Sequence, residues 1–223
     1  MEKKIIIIIS LISAVLSLVY VLLNYFGITR YMGLYMFPVE SYIKNYKKLD
    51  KIGKNRTIIS VTATPNQMKK LTTTIKSLLD QTVKVDIISI VIPHGNKYIV
   101  PNELKDVISI FRCGEDKEGL NCLIPTVMRE NESTTRIITI GSGKIYGKDF
   151  IEELLVEAEK YPNKIIHTTD SIDITSGVVF STEFFDENFL NTPKGIDANK
   201  WVNTYFKDFQ KQKIKYSENY KSI

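Results

Sequence analysis

At 223 residues, with 43% hydrophobic and 25% charged side chains, the chain is long enough for one domain of ordinary size plus an appendage, and too apolar to be disordered. Its formal charge of +5 is spread over separate lysine-bearing stretches, 44–54 and 207–215, with no zinc-knuckle, RNA-recognition or basic-zipper pattern, so nucleic acid is not an expected partner. Two cysteines, Cys113 and Cys122, and two histidines, His94 and His167, stand at no metal-ligand spacing, which argues against a zinc centre.

In chain order, Ile5 to Phe26 runs for 22 positions without a charge. At about 1.5 Å per residue this spans roughly 33 Å, the thickness of a bilayer core. Its length and the lack of a small-residue cleavage site favour an uncleaved single-pass anchor over a signal peptide, with membrane lipid as its partner. The flanking charges, Lys3 and Lys4 before it and Arg30, Lys44, Lys47 and Lys48 after it, lean toward a cytoplasmic domain without fixing the side. From Gly27 to Lys54 the chain is rich in Tyr and Lys, Tyr25, Tyr31 and Tyr35 are spaced to sit at the membrane interface, and Pro38 breaks any continuous helix. The expected organisation is an anchor over 1–28, a juxtamembrane tether over 29–55, partly helical beyond Pro38, a domain over 56–216 and a tail over 217–223.

Within the domain, Thr57 to Ala63 reads as a strand, and Thr64-Pro65-Asn66 opens a helix in which Met68, Leu71, Ile75, Leu78 and Leu79 share a face. Val85 to Ile92 is a second strand stopped by Pro93, with a loop over Lys97 to Glu103. Val107 to Arg112 is a third strand, followed by a polar turn from Cys113 to Gly119 and a short helix over Asn121 to Arg129. Arg136 to Ile140 is a fourth, β-branched strand that meets the turn Gly141-Ser142-Gly143, ahead of a helix over Asp149 to Lys160. Strands alternating with helices predict a mainly parallel sheet with right-handed crossovers, and its carboxyl edge, where the Gly141 turn lies, is where a ligand binds. Beyond Pro162 the pattern changes to short strands at Lys164 to His167 and Gly177 to Phe180, a turn or short helix at Phe184 to Leu190 and a last helix over Ile196 to Phe209, as expected of a small second lobe.

Ser60-Val-Thr-Ala-Thr-Pro-Asn66, Ser77-Leu-Leu-Asp-Gln-Thr82, Leu123-Ile-Pro-Thr126, Ile137-Ile-Thr-Ile-Gly-Ser-Gly-Lys-Ile-Tyr146, Glu153-Leu-Leu155, Tyr161-Pro-Asn163, Ser176-Gly-Val-Val-Phe180 and Trp201-Val-Asn203 follow one another in an informative order. Together they resemble the nucleotide-sugar glycosyltransferases of the GT-A fold, in particular short family-2-like members of bacteria and large DNA viruses, over about Arg56 to Tyr216. The resemblance implies a Rossmann-type α/β/α sandwich with a mainly parallel sheet, here preceded by one transmembrane helix. It also implies a nucleotide-sugar site at Thr62, Pro65, Gln67, Cys122, Gly141, Ser142, Gly143, Lys144 and Asn199.

At four of these places the chain departs from the family it resembles. The Arg expected after the Pro-Asn pair, a cationic fork suited to phosphate, is Gln67. The Lys expected before the Pro-Thr pair is Cys122. The acidic triplet that holds a divalent cation on the donor diphosphate is Gly141, Ser142 and Gly143, and the aspartate pair before the tryptophan is Ala198 and Asn199, with Asp197 one place too early. The residues that hold the fold are kept and those that do the chemistry are replaced. The expectation is a degenerate, glycosyltransferase-like pseudoenzyme with a binding or structural role and a glycan or protein as partner, with no divalent metal or other cofactor. The alternative is a transferase working without a metal, with Asp197 or Asp116, and behind them Glu115, Asp170 and Asp173, as base, and Lys144 and Lys148 beside the diphosphate.

Overall fold

The computed structural model describes residues 2–63, 65–93, 102–113, 120–191 and 196–216. The apolar N-terminal run is one helix, α1 (Glu2–Tyr25), whose isoleucines, leucines and valines are exposed, except for half-buried Leu23. It is long and apolar enough to cross a membrane.

The stretch expected to be a tether contains two helices, α2 (Ile28–Met36) and α3 (Val39–Tyr46), folded into the main core. Pro38 does interrupt the helical run, but it does so as the N-cap of α3 and not as the start of a loose link. Val39, Tyr42, Ile43 and Tyr46 fall at i, i+3, i+4 and i+7 and bury one stripe on α4 (Leu71–Leu79) and its surroundings. The Tyr46 hydroxyl accepts from the Val85 amide at 3.0 Å and donates to the Val85 carbonyl at 3.3 Å. Burial pushes that phenol up to about 12.

The β-branched runs form the strands their composition predicts: β1 (Thr57–Thr62), β2 (Ile87–Pro93), β3 (Ile108–Cys113) and β4 (Arg136–Gly141). Every residue of β4 is buried, as a strand covered on both faces requires. The connecting helices are α4, entered through a 3-10 turn at Pro65–Lys70, then α5 (Leu120–Val127) and α6 (Phe150–Lys160). The C-terminal part supplies β5 (Ile165–His167), β6 (Ser176–Ser181), α7 (Glu187–Leu190), α8 (Ala198–Tyr205) and β7 (Lys211–Lys213).

All seven strands lie in one sheet, in the order β3-β2-β1-β4-β6-β5-β7. β1 to β4 run parallel, β6 joins β4 antiparallel, β5 joins β6 antiparallel, and β7 closes the edge parallel to β5. The C-terminal elements therefore extend the same sheet and do not build a second lobe. Ile59, Val61, Ile138 and Ile140 point to the face covered by α2, α3, α4 and α6, while Val91, Ile137, Val178 and Phe180 point to the face covered by α5, α7 and α8. The second face is rich in rings: Phe206, fully buried, stacks within 6 Å of Phe180, Phe185 and Phe189. The chain steps outward from β1 to β3 and returns to β4 on the other side of β1. The carboxyl ends of β1 and β4 thus form the crevice where the strand order reverses.

Candidate functional site

At that crevice Thr62 and Gly141 are register partners, and the Ser142 amide continues the ladder by donating to the Thr62 carbonyl at 2.8 Å. The buried Thr62 hydroxyl has no hydrogen-bond partner among the described residues. Tyr146, five residues on, folds its phenol back over the turn, donating to the Gly141 carbonyl at 2.8 Å and accepting from the Gly141 amide at 3.1 Å. Gly143 has a φ of 84°, a conformation that side chains with a Cβ seldom adopt. Its amide donates to the Thr74 hydroxyl of α4 at 3.0 Å, and that hydroxyl donates on to the Lys144 carbonyl at 2.8 Å.

The side chains around the turn are engaged with one another. Ser142, almost fully buried, donates its hydroxyl to Gln67 Oε1 at 3.0 Å, and the methylenes of Gln67 lie over Gly143. Lys144 donates from Nζ to the Ser176 hydroxyl at 2.9 Å, and Ser176 donates to Asp173 Oδ2 at 2.5 Å. The other Asp173 oxygen accepts from the Thr175 amide and hydroxyl, both at 2.9 Å, and from Asn199 Nδ2 at 3.2 Å. Burial alone would push the Asp173 carboxyl up; the bonds from Ser176, Thr175 and Asn199 outweigh it and hold the group below the ordinary carboxylate range.

That depression has a sign. A carboxyl held lower in the folded chain adds stability above its unfolded pKa of about 4, and the contribution is lost as pH falls through the folded value. Asp173→Asn replaces an acceptor with an amide facing donors, and should lower unfolding free energy at pH 7 by about 1–3 kcal/mol. It should also remove part of the acid sensitivity below pH 4. Denaturant titrations of both proteins at pH 7 and through the acid range check both effects.

Of the sequence-predicted positions, Thr62, Gln67, Gly141, Ser142, Gly143 and Lys144 do come together. Pro65 opens the 3-10 turn that carries Gln67, and Cys122 falls in α5; the side chains of both lie outside the described residues. Asn199, the position of the missing base, holds a loop in place. Its Oδ1 accepts from the Ile174 amide at 3.1 Å while its amide holds Asp173, and Asn203 clamps Ile172 one helical turn further on. Asp197 caps α8, accepting from the Lys200 amide at 2.7 Å. Exposed Asp170 pairs with Lys213 of β7. Glu115 and Asp116 lie outside the described residues. Exposed Lys148 borders a groove beside Arg30 and Asp80. Thr74, Thr175 and Ser176 join the site without having been expected there. A threonine on the apolar face of α4 and a Thr-Ser pair just before Gly177 were the available signals.

The turn does not fit a hard divalent cation, which takes oxygen ligands and usually carboxylates. It offers one hydroxyl, already turned to Gln67, and the Lys144 ammonium follows. Nor does the turn readily accept a carboxylate side chain: a Cβ at 141 would come within 3.0 Å of Thr175 Cβ, and one at 143 within 3.2 Å of Gln67 Cγ.

No protein-family model matches the chain, and no curated protein matches it in sequence. Solved structures do match in fold. A mannosyltransferase from Pyrobaculum calidifontis, solved with GDP-mannose and Mn2+, superposes at a TM-score of 0.55 and 10% identity over 86% of this chain and 66% of its own, so the chain spans about two thirds of that protein. The 4-diphosphocytidyl-2C-methyl-D-erythritol synthase of Anaerococcus prevotii gives 0.53 and 11% identity over 76% of this chain and 92% of its own. A 2-C-methyl-D-erythritol 4-phosphate cytidylyltransferase from Francisella tularensis gives 0.51 and 12% identity over 76% and 94%. The chain therefore has the GT-A-like fold shared by nucleotide-sugar transferases and nucleotidyltransferases.

Proposed function

We propose that this is a membrane-anchored domain of nucleotide-sugar-transferase fold that does not carry out metal-dependent transfer and works by binding, or as a structural part, with a glycan or a protein as its partner. The observation that carries the reading is the β4 turn, whose polar groups are engaged within the chain. Gln67 takes the Ser142 hydroxyl, Thr74 takes the Gly143 amide, and Ser176, itself bonded to Asp173, takes Lys144. Asn199 is neutral and cannot take a proton, and loss of a general base alone slows such a reaction by about 10²- to 10⁴-fold. Anchoring through residues 5–26 is part of the proposal, supported by the outward apolar side chains of α1.

The test is turnover by the full chain in micelles with Mn2+ and a panel of uridine, guanosine and cytidine diphosphate sugars. The expected result is nucleoside diphosphate release no faster than in enzyme-free controls. Gly141→Asp with Gly143→Asp should not restore it, because Asn199 still cannot act as a base and because an added Cβ at 141 or 143 meets Thr175 or Gln67. Metal-dependent release by the wild-type chain contradicts the proposal. A metal-independent transferase is the second reading, favoured by one observation: an ammonium, Lys144, and an ionised carboxylate, Asp173, joined through Ser176 at the crevice. It requires release that persists in a chelator and is abolished by Lys144→Ala.

A further inference from the structure

α2 has an outward face that the fold leaves uncovered and a position that says what covers it. Its single charged residue, Arg30, turns inward, donating to Asp80 at 2.6 Å and to the Tyr146 carbonyl at 3.0 Å. Leu34 is fully buried, and nearly buried Lys76 of α4 grips the end of the helix by donating to the carbonyls of Leu34 and Phe37 at 3.1 and 2.6 Å. The helix is thus fixed to the domain. Its remaining stripe is Ile28, Met32, Tyr35, Met36 and the adjoining Phe37, 42 to 72% exposed and without a charge. A stripe this apolar on a short, firmly held helix marks an interaction surface.

Its position identifies the partner. α1 ends at Tyr25, so Ile28 lies three residues, at most about 10 Å of chain, from the end of the apolar span. Tyr25 and Phe26, at the junction, are themselves 81% and 61% exposed, so exposed apolar side chains stand on both sides of the step from α1 to α2. Tyr35 also borders a depression shared with Lys70, Gly143 and Lys144, which places the stripe next to the β4 turn.

We propose that α2 is an interfacial helix that seats this stripe at the boundary of headgroups and acyl chains, holding the domain on the bilayer in one orientation with the Gly143–Lys144 side of the crevice at the headgroup layer. This rests on the reading of α1 as the membrane span. It means that a partner reaching the turn does so along the membrane surface.

The full chain is reconstituted into phosphatidylcholine–phosphatidylglycerol vesicles, with and without bromine on the upper part of the acyl chains. Tryptophan is introduced singly at exposed positions, Met32→Trp and Met36→Trp on the stripe, and Glu132→Trp before β4 at the opposite sheet edge, about 17 Å of strand away; each is read against the Trp201 signal of the unsubstituted chain. The added emission at 32 and 36 is expected to fall at least two-fold in brominated vesicles, and that at 132 to be unchanged. A chain that floats with the vesicles but shows no quenching at 32 and 36 overturns this proposal and leaves the anchor standing. Blue-shifted, unquenched emission that varies with the protein-to-lipid ratio overturns it in favour of a second copy or other protein on the stripe. Failure to float at all overturns the anchor and this proposal together.

Discussion

Gly177→Ala is expected to lower the stability of the full chain in micelles by about 2–6 kcal/mol, the sum of two separate effects. Gly177 has a φ of 95°, and a residue with a Cβ held there costs about 1–3 kcal/mol. The added carbon would also sit 2.4 Å from Phe150 Cζ. That ring cannot easily give way: it is 2% exposed and packed between Tyr146 and Tyr216 at centroid distances of 4.9 and 4.8 Å. Overpacking of this kind costs about 1–3 kcal/mol more. For a chain of this length, at about 2–4 °C per kcal/mol, the melting temperature should drop by roughly 4–24 °C. Gly143→Ala supplies the comparison, since its φ is similar but its neighbour is the flexible Gln67 side chain, and the loss should be about 1–2 kcal/mol. Equal shifts for the two variants would show that the Phe150 contact is not the rigid one described.

Arg30→Ala should cost about 2–4 kcal/mol. The guanidinium joins three pieces of chain, donating to Asp80 at the end of α4, to the Tyr146 carbonyl and, at 3.5 Å, to the Ser77 carbonyl. Removing it leaves Asp80 without this partner where only 26% of its side chain meets solvent. Breaking a fully buried pair costs about 3–5 kcal/mol, and the partial exposure here brings the figure down. Asp80→Asn should be much less damaging in the Arg30→Ala background than in the wild type, a coupling of about 1–2 kcal/mol in a double-mutant cycle. The same variant should speed proteolysis within 28–37, because Arg30 and Lys76 are the polar ties of α2 to α4 and the β4 turn. Additive losses would mean that the pair is a surface contact of little consequence.

The parallel half of the sheet was legible because its strands are short β-branched runs separated by helical periodicity, and both signals follow from burial on two faces. Strand direction carries no such signal: Ser176 to Ser181 reads as a strand, but nothing in its composition says that it pairs antiparallel with β4. β7 is three polar residues, Lys-Gln-Lys, placed by its backbone pairing with β5, so hydrophobic pattern could not find it. The stretch expected as a tether carries the helical signal of α3. Val39, Tyr42, Ile43 and Tyr46 have helical spacing, but tyrosines and lysines in the same stretch suggest a membrane interface, and Pro38 suggests a break. In the structure the interface-like residues and the core-facing residues occupy different sides of the same short helices.

At the site, the sequence showed which residues were absent more readily than what had replaced them. Gly141, Ser142, Gly143 and Gln67 were identifiable as departures one at a time, whereas the Ser142–Gln67 bond joins residues 75 positions apart and the Asp173–Asn199 bond residues 26 apart. Asn199 illustrates the difference. As a sequence position it is a lost base; in the fold it shapes the 172–176 loop that packs on Gly141 and, through Ser176, engages Lys144.

On the proposed function, the carboxyl edge of β1 and β4 does not hold a divalent cation on a nucleoside diphosphate. Isothermal titration of the full chain in micelles with uridine diphosphate, in the presence and absence of Mn2+, tests it most directly. No metal-dependent heat is expected at micromolar ligand: the turn has no carboxylate, the Ser142 hydroxyl is turned to Gln67, and Lys144 repels the cation. Metal-dependent binding of micromolar strength, lost in chelator and regained on adding Mn2+, would contradict it.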